Sequence, residues 1–180
     1  LEAHQRPWLL LLEAAPKKPK IAGMNVFMTQ DLQWVASRPI TDIVRLRAES
    51  YPQFSHGPRA ATPALRFMTA LPQGMNPRTF ALAQQMRANP ALAAGGTQAL
   101  VDAALQRLRT GGYEYTLEPG VYGEHTADEF WFDRKSGFCE HIASAFVVLM
   151  RAMDVPARIV TGYQGGERNP VDGYWTVRQS

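Results

Sequence analysis

The sequence predicts an α+β fold in which an N-terminal antiparallel β module precedes a largely helical region that ends in further strands. Three observations support this class. Apolar and polar residues alternate over roughly the first seventy positions, apolar residues recur at helical spacing from residue 74 onward, and strand-like runs return after residue 156. We therefore expect two domains, a β-rich module over residues 1–72 and a second domain over residues 73–180.

Four runs with a period of two predict the strands of the β module: residues 8–14, 25–37, 41–50 and 64–71. In the third run Val44, Leu46 and Ala48 share one face. Prolines separate the runs, as expected of turns. The basic stretch PKKPK at 16–20 is interpreted as the solvated tip of a hairpin rather than as a contact for nucleic acid or lipid.

Helical signals dominate the middle of the chain. Asn76 is a predicted N-cap, with Pro77 at the first helical position. Thr97 is expected to cap a second helix that ends at Gly111, with an apolar stripe formed by Leu100, Val101, Ala104, Leu105 and Leu108. An aromatic strand follows at 113–117. Further strands are predicted at 157–166 and 174–178, paired across the loop 164–173.

Composition narrows the range of functions. With 46% hydrophobic and 19% charged residues and a net charge of +3, the chain reads as globular, and no nucleic-acid partner is expected. A single cysteine excludes an intrachain disulfide and a multi-cysteine metal site. The longest apolar run, WLLLL, is far shorter than the roughly 20 residues that span a bilayer. No signal peptide is visible, and both ends look like cuts, so we interpret the chain as a fragment.

The only cysteine, Cys139, lies in SGFCEHIASAF at a predicted helix start. An apolar stripe is expected along this helix at Ala143, Phe146, Val147, Met150 and Met153. The free N–H groups and positive dipole end of a first helical turn stabilise a thiolate, which is the nucleophilic form of cysteine. The alternative is a buried structural cysteine, since unpaired cysteines are among the most buried residues.

A nucleophilic cysteine needs a base, usually a histidine oriented by an acid or amide. His141 lies two positions beyond Cys139 and faces another side of the helix, so it is not expected to serve. His125 is a weaker candidate, with Asp128, Glu129 or Asp133 beside it, while His4 and His56 are predicted to lie on the surface. The spacing of Cys139 and these histidines matches no zinc site.

The stretch from ADEFWFDRKSGFCEH to ARIVTGYQGG resembles the transglutaminase-like superfamily, and within it the periplasmic domain of TgpA-type bacterial inner-membrane proteins. The matching positions are Gly137, Cys139, Ala143, Pro156, Ala157, Arg158, Gly162 and Tyr163. The resemblance covers at least residues 70–180 and implies a papain-like core, a cysteine-bearing helix packed on an antiparallel sheet. In that family the catalytic His and Asp follow in an AHAWAE-like segment and a later strand, so the core is expected to be truncated before them.

The resemblance implies that Cys139 attacks a glutamine or peptide amide, forms a thioester and passes the acyl group to an amine or to water. Without the His and Asp, the chain alone is expected to be inactive. Trp131, Phe138 and Tyr163, with Phe132, could line an acyl groove or donate to an oxyanion, although such aromatics are more often core. No cofactor is expected, and three loop carboxylates without EF-hand spacing predict no metal.

The expected function is thus transglutaminase-type acyl transfer by a membrane-anchored parent protein, on a protein or peptidoglycan-peptide substrate at the periplasmic side of the bacterial inner membrane, with this fragment soluble. Two alternatives stay open. One is a cysteine peptidase or amidase, because water and amine compete for the same thioester. The other is a non-catalytic scaffold or binding module. The oligomeric state does not follow from the sequence.

Overall fold

The computed structural model describes residues 1–58, 60, 62–163 and 165–177. The chain divides into two compact units, Leu1–Arg59 and Ala60–Ser180. The first contains short antiparallel strands and the second contains most of the helices together with two further pairs of strands. The predicted α+β class is therefore confirmed.

Three short strands form the sheet of the first unit: β1 (Trp8–Leu9), β2 (Val26–Met28) and β3 (Trp34–Ala36). Strand β3 is central and pairs antiparallel with both neighbours. One face covers a small core, in which the Trp34 indole N–H donates to the Ala15 carbonyl at 2.7 Å. The buried apolar residues of this core are Leu9, Ala15, Val26, Trp34, Ala36, Ile40 and Val44.

Two expectations for the first unit are corrected. Residues 41–50 form no strand, although Val44 is buried and its backbone exchanges hydrogen bonds with Leu1, both at 2.9 Å. Of the predicted face only Val44 is buried, while Leu46 is half-buried and Ala48 is exposed, so the alternation does not mark a strand. The stretch 16–20 does not form a hairpin tip, because β1 and β2 both pair with β3 and not with each other. Lys17 in this stretch forms an ion pair with Glu49.

The fourth predicted strand, 64–71, is wrong. Its residues form helix α1 (Pro63–Arg66) and a following 3₁₀ turn (Phe67–Thr69), both within the second unit. Thr62 is extended and Pro63 occupies the first helical position, where proline has no N–H to leave unsatisfied. The local proline signal therefore outweighed the weak alternation.

Four further helical segments build the second unit. They are α2 (Pro77–Ala88), α3 (Pro90–Thr110), α4 (Thr126–Asp128), which continues as a π-helical turn (Glu129–Arg134), and α5 (Cys139–Ala152). Pro77 opens α2 and Gly111 follows the end of α3, as predicted. The range of α3 joins two helices across a kink at Gly96, whose backbone is not helical, so the helix predicted after Thr97 is the second of the two. Of the described helices, none combines the length and the apolar character needed to cross a bilayer.

Helices α2, α4 and α5 pack against one another around a shared apolar core. The face of α5 that is buried carries Ala145, Leu149 and Met150, with Met153 directly after the helix. The predicted stripe is thus rotated, because Ala143, Phe146 and Val147 are only half-buried.

Two pairs of short strands complete the second unit. Strand β4 (Glu114–Tyr115) runs parallel to β5 (Ser136–Gly137), and β6 (Glu167–Arg168) runs antiparallel to β7 (Trp175–Thr176). The sequence predicted a hairpin of 157–166 with 174–178, and its first strand is wrong. The described part of 157–166 forms no strand, and β7 pairs instead with Glu167–Arg168, within the predicted loop. Residues 158–163 lie exposed, and the ladder forms only beyond them. Residues 164 and 178, which the predicted strands included, lie outside the described residues.

Candidate active site

Cys139 is the first residue of helix α5, and its side chain is exposed. Phe138 before it is extended, with φ −106° and ψ −174°, and no side chain caps the helix. The first backbone hydrogen bond of the helix runs from Ile142 N to Phe138 O at 3.1 Å. The N–H groups of Cys139, Glu140 and His141 precede that bond, so this helix start presents donors suited to an anion.

The turn that leads into Cys139 is held by strand pairing. Lys135 has a left-handed backbone with φ 53°, after which Ser136–Gly137 runs beside β4. Two backbone bonds flank the turn, from Glu114 N to Lys135 O at 2.8 Å and from Thr116 N to Gly137 O at 2.9 Å. The backbone immediately before the sulfur is therefore fixed by a neighbouring segment.

His141 packs against this turn rather than against the sulfur. Its ring lies 4.4 Å from the Phe138 ring, edge to face, and 4.5 Å from the Tyr122 ring. Its Nδ1 is enclosed and has no hydrogen-bond partner. Within the described residues no hydrogen bond joins Cys139 to His141 or to any other histidine. The geometry thus gives His141 an aromatic environment instead of a position for proton transfer.

His125 lies elsewhere, at the junction of helices α2 and α4. Its Nδ1 accepts a hydrogen bond from the backbone N–H of Asn76 at 3.1 Å, which requires a lone pair on that nitrogen. Asn76 was expected to cap its own helix, but its backbone is left-handed and its side chain does not do so. Its Oδ1 accepts instead from the N–H groups of Ala127 and Asp128, at 2.9 and 3.3 Å.

Asp128 provides the reverse cap. This buried carboxylate accepts from Arg78 N at 2.9 Å, Thr79 N at 2.7 Å and Thr79 Oγ1 at 2.6 Å, all at the start of α2. The starts of α2 and α4 therefore cap each other, with Asn76 and Asp128 exchanged between them. The carboxylate considered as a partner of His125 in catalysis holds two helices together.

The other two loop acids also have structural partners. Glu129 accepts from Gly123 N at 2.7 Å and from Arg134 Nε at 3.1 Å, while Asp133 pairs with Arg78 at 2.8 Å. Across the part of the chain that the structure describes, no group of three or more His, Cys, Asp or Glu side chains could hold a metal ion.

The aromatic groove candidates are not brought together. Trp131 is fully buried, and its indole N–H donates to Ala145 O of helix α5 at 3.0 Å, so this ring forms part of the core. Phe138 is half-buried beside Cys139, and Tyr163 is 45% exposed in the irregular segment after α5. Phe132 packs under the Arg78 guanidinium at 4.5 Å. Of these four residues, Phe138 is the one that directly precedes Cys139 in the chain.

Two residues near the site were not anticipated from the sequence. Tyr122 donates to Ser136 O at 2.6 Å, and the Arg134 guanidinium lies 4.9 Å from its ring. Burial raises the pKa of the Tyr122 phenol, against the opposing effect of the positive charge on Arg134. Neither residue belongs to a periodic pattern, so no sequence signal distinguished them. Of the two remaining histidines, His56 is exposed as expected, whereas His4 is half-buried with Nε2 enclosed.

Cys139 defines a candidate thiol site in an α+β core. It is exposed at the start of a helix with one buried face, and it directly follows a turn that contains Gly137 and is held by the pairing of β4 with β5. The family model described as the transglutaminase-like superfamily matches residues 81–179. The chain belongs to this superfamily, and the resemblance deduced from its motifs is confirmed.

Individual relatives agree with this assignment. The chain is 36% identical over 183 residues to the protein-glutamine gamma-glutamyltransferase of Pseudomonas aeruginosa, covering 99% of this chain but only 26% of that protein. It is also 48% identical to the uncharacterized protein YebA of Bacillus subtilis over a stretch of 44 residues. This stretch makes up 24% of this chain and 6% of that protein.

Two solved structures are similar over nearly the whole chain. One is the periplasmic domain of TgpA from Pseudomonas aeruginosa, with a TM-score of 0.83 and 35% identity, over 98% of this chain and 59% of that one. The other is the same domain bound to ethylmercury, with a TM-score of 0.81 and 35% identity, over 98% of this chain and 61% of that one.

Proposed function

We propose that Cys139 is the nucleophile of a transglutaminase-type acyl transfer carried out by the longer protein to which this chain corresponds. One observation supports the proposal above all: the only thiol in the chain is exposed at the uncapped start of α5, in a member of the transglutaminase-like superfamily. A structural cysteine would be buried among apolar side chains.

The proposed chemistry has two steps. The Cys139 thiolate attacks the carboxamide carbon of a glutamine side chain, the carbon–sulfur bond forms, and ammonia leaves with a proton from a general acid. An amine then attacks the thioester carbon and loses a proton to a general base, so that a carbon–nitrogen bond forms, the carbon–sulfur bond breaks, and the thiolate is restored. The helix-start N–H groups would donate to the oxyanion in both steps. Water in place of the amine gives hydrolysis.

The general acid and base are proposed to lie in the longer protein. Among the described residues no histidine is hydrogen-bonded to Cys139, and His125 is engaged by Asn76. The family pattern places the His and Asp after the segment that ends in TVRQS. This chain would then contribute the nucleophile and the donors for the oxyanion but would not turn over an amide by itself.

The proposed substrate is a protein or a peptidoglycan peptide at the periplasmic side of the inner membrane, with the longer protein anchored in that membrane. The similarity to a structure named as a periplasmic domain supports the location. A second candidate function, a non-catalytic binding module, is favoured by the lack of a hydrogen-bonded base at Cys139 in the described part of the chain.

The test compares the chain, the full-length protein and their Cys139→Ser variants. Each is incubated with a glutamine-containing peptide and a fluorescent primary amine, and both amine incorporation and ammonia release are measured. Transglutaminase activity gives incorporation in the full-length protein that is abolished by Cys139→Ser. Ammonia release without amine incorporation would indicate an amidase. The absence of both signals would favour the non-catalytic binding module.

A thiol probe tests the nucleophile separately. One relative's domain was solved bound to ethylmercury, and organomercurials react with thiols. We expect the chain to take up one equivalent of ethylmercury, at Cys139, and to react with iodoacetamide faster in the folded state than when unfolded in urea at the same pH. A folded chain that reacts more slowly would contradict the nucleophile assignment.

A further inference from the structure

The side chain of His141 folds back over Gly137. A Cβ atom at residue 137 would lie 3.1 Å from the His141 Cγ and 2.7 Å from its Cβ, and the second distance is shorter than real Cβ contacts. Helical side chains point toward the start of their helix, so the third residue of α5 covers the turn before the first. Glycine at 137 is what allows this close packing.

The His141 ring connects three segments of the second unit. Phe138, at 4.4 Å, belongs to the turn that precedes Cys139, while Tyr122, at 4.5 Å, belongs to the loop between β4 and α4. His141 itself belongs to α5. We name these three rings the aromatic clamp. Edge-to-face and tilted ring contacts have preferred geometries, so the aromatic clamp restricts the rotation of the three rings as well as the distances between them.

The far side of the aromatic clamp is anchored. The Tyr122 hydroxyl donates to Ser136 O at 2.6 Å, one residue before Gly137. Arg134 lies 4.9 Å from the Tyr122 ring and donates to Pro119 O at 3.2 Å and Val121 O at 2.5 Å. The loop that carries Tyr122 is therefore tied to the segment that leads into Cys139.

The environment of His141 suits a packing role and not a proton relay. Its Nδ1 is enclosed without a hydrogen-bond partner, and the Tyr122 hydroxyl beside it donates to Ser136 O rather than to the imidazole. A hydrogen on Nδ1 would have no acceptor, which is costly for a buried group. The role of His141 then depends on the shape of its ring.

We propose that His141 is a positioning residue for Cys139: through the aromatic clamp it holds the Gly137–Phe138 turn and so fixes the direction of the sulfur relative to the helix-start N–H groups. This inference rests on the proposed function of Cys139 as a nucleophile. It assigns the imidazole no part in proton transfer.

Two reagents separate positioning from general loss of structure. Iodoacetamide is small and reacts with a thiolate from many directions. A p-nitrophenyl ester of a blocked glutamine requires an oriented attack: the carbon–sulfur bond forms, the carbon–oxygen bond breaks, and p-nitrophenolate leaves with the electron pair, so that no general acid is needed. Both second-order rate constants are measured on the folded chain, with circular dichroism confirming the fold of each variant.

We expect His141→Ala to lower the acylation rate about 10-fold or more, as misplacement of a reacting group does, while changing the iodoacetamide rate less than about 2-fold. His141→Phe keeps a planar ring and should restore acylation. Tyr122→Ala, which removes the other side of the aromatic clamp, should reproduce the His141→Ala pattern and provides a second test if one variant does not fold.

Other outcomes would overturn the inference. Equal losses with both reagents would mean a structural role alone, and His141→Phe as slow as His141→Ala would mean that the imidazole acts chemically. Unchanged acylation in His141→Ala would mean that the ring does not position the sulfur. Acylation that persists in Cys139→Ser would instead contradict the proposed function, independently of His141.

Discussion

Replacement of Asp128 tests most directly how helices α2 and α4 are joined. Its carboxylate is 3% exposed and accepts three hydrogen bonds, from Arg78 N, Thr79 N and Thr79 Oγ1, at 2.9, 2.7 and 2.6 Å. Two of these donors are backbone N–H groups of the first turn of α2, which have no acceptor within their own helix. Asp128→Ala removes all three acceptor contacts and leaves the buried hydroxyl and N–H of Thr79 and the part-buried N–H of Arg78 without this partner.

The expected loss follows from these contacts. Hydrogen bonds to a charged group contribute about 1.5–3 kcal/mol each, and a missing N-cap alone costs about 0.5–2 kcal/mol. The three bonds share one acceptor and part of the space refills with water, so their energies do not add fully. We expect Asp128→Ala to destabilise the second unit by about 3–5 kcal/mol. Asp128→Asn keeps one accepting oxygen and should cost about 1–2 kcal/mol.

Hydrogen exchange read by mass spectrometry is the suitable assay, because a chain of two compact units need not unfold in one transition. Peptides from α2 (Pro77–Ala88) report on the second unit, and peptides covering residues 26–36 report on the first. A loss of 3 kcal/mol accelerates exchange in α2 roughly 100-fold, while exchange in the first unit should not change.

The matched control is Asp102→Ala on helix α3. Asp102 is exposed and accepts one hydrogen bond, from the Gln98 side chain at 2.9 Å. Exposed substitutions of this kind usually change stability by no more than about 0.5 kcal/mol. If Asp128→Ala accelerates exchange in α2 no more than Asp102→Ala does, the reciprocal capping of α2 and α4 does not stabilise the unit, and the reasoning fails.

Three further predictions concern single positions. Burial raises the pKa of Tyr122, so its phenol stays protonated above the usual value near 10. Its contribution to stability is complete below that pH and is lost as the pH rises through the pKa of the folded state. A difference titration of the wild type against Tyr122→Phe, followed by ultraviolet absorbance, will show or exclude this raised pKa. Gly137→Ala should lower the free energy of unfolding by about 1–3 kcal/mol through its contact with His141. Gly162→Ala is the control, because a Cβ on Gly162 meets nothing within 4 Å. Equal melting temperatures for these two variants would contradict the close packing of Gly137 and His141. His125→Asn can keep an acceptor near the place of Nδ1 and should melt close to the wild-type temperature. His125→Ala leaves the Asn76 N–H unpaired and should lower the free energy of unfolding by about 1–3 kcal/mol. If His125→Asn melted at a lower temperature than His125→Ala, this hydrogen bond would not matter for stability.

The features that the sequence predicted correctly are local ones. Pro77 at the start of α2 and Gly111 after α3 each act on the backbone within a few residues, so their effect is visible in a short window. The family pattern around Cys139 added the identity of the superfamily, which local signals alone do not provide.

The errors arise where distant residues compete for the same group. Asn76 carries a good capping side chain, yet its Oδ1 serves a helix start about fifty positions further along the chain. Asp128 looked like a partner for a catalytic histidine because it stands near His125 in sequence, but its carboxylate is used by Thr79. Such exchanges are tertiary, and periodicity in a single sequence carries no information about them.

The exposure of Cys139 is compatible with a fixed sulfur because helix α5, about 20 Å long, is held at three levels. His141 fixes the first turn through the aromatic clamp. Trp131 donates to Ala145 O in the middle, at 3.0 Å, and Arg151 donates to Ala157 O near the end, at 2.8 Å. Each anchor comes from a different segment, so rotation or sliding of the helix would break all three together. If Cys139 is the nucleophile proposed above, a substrate that approaches from solvent meets a thiol whose backbone position is already determined, which is the condition under which preorganised N–H donors lower a barrier.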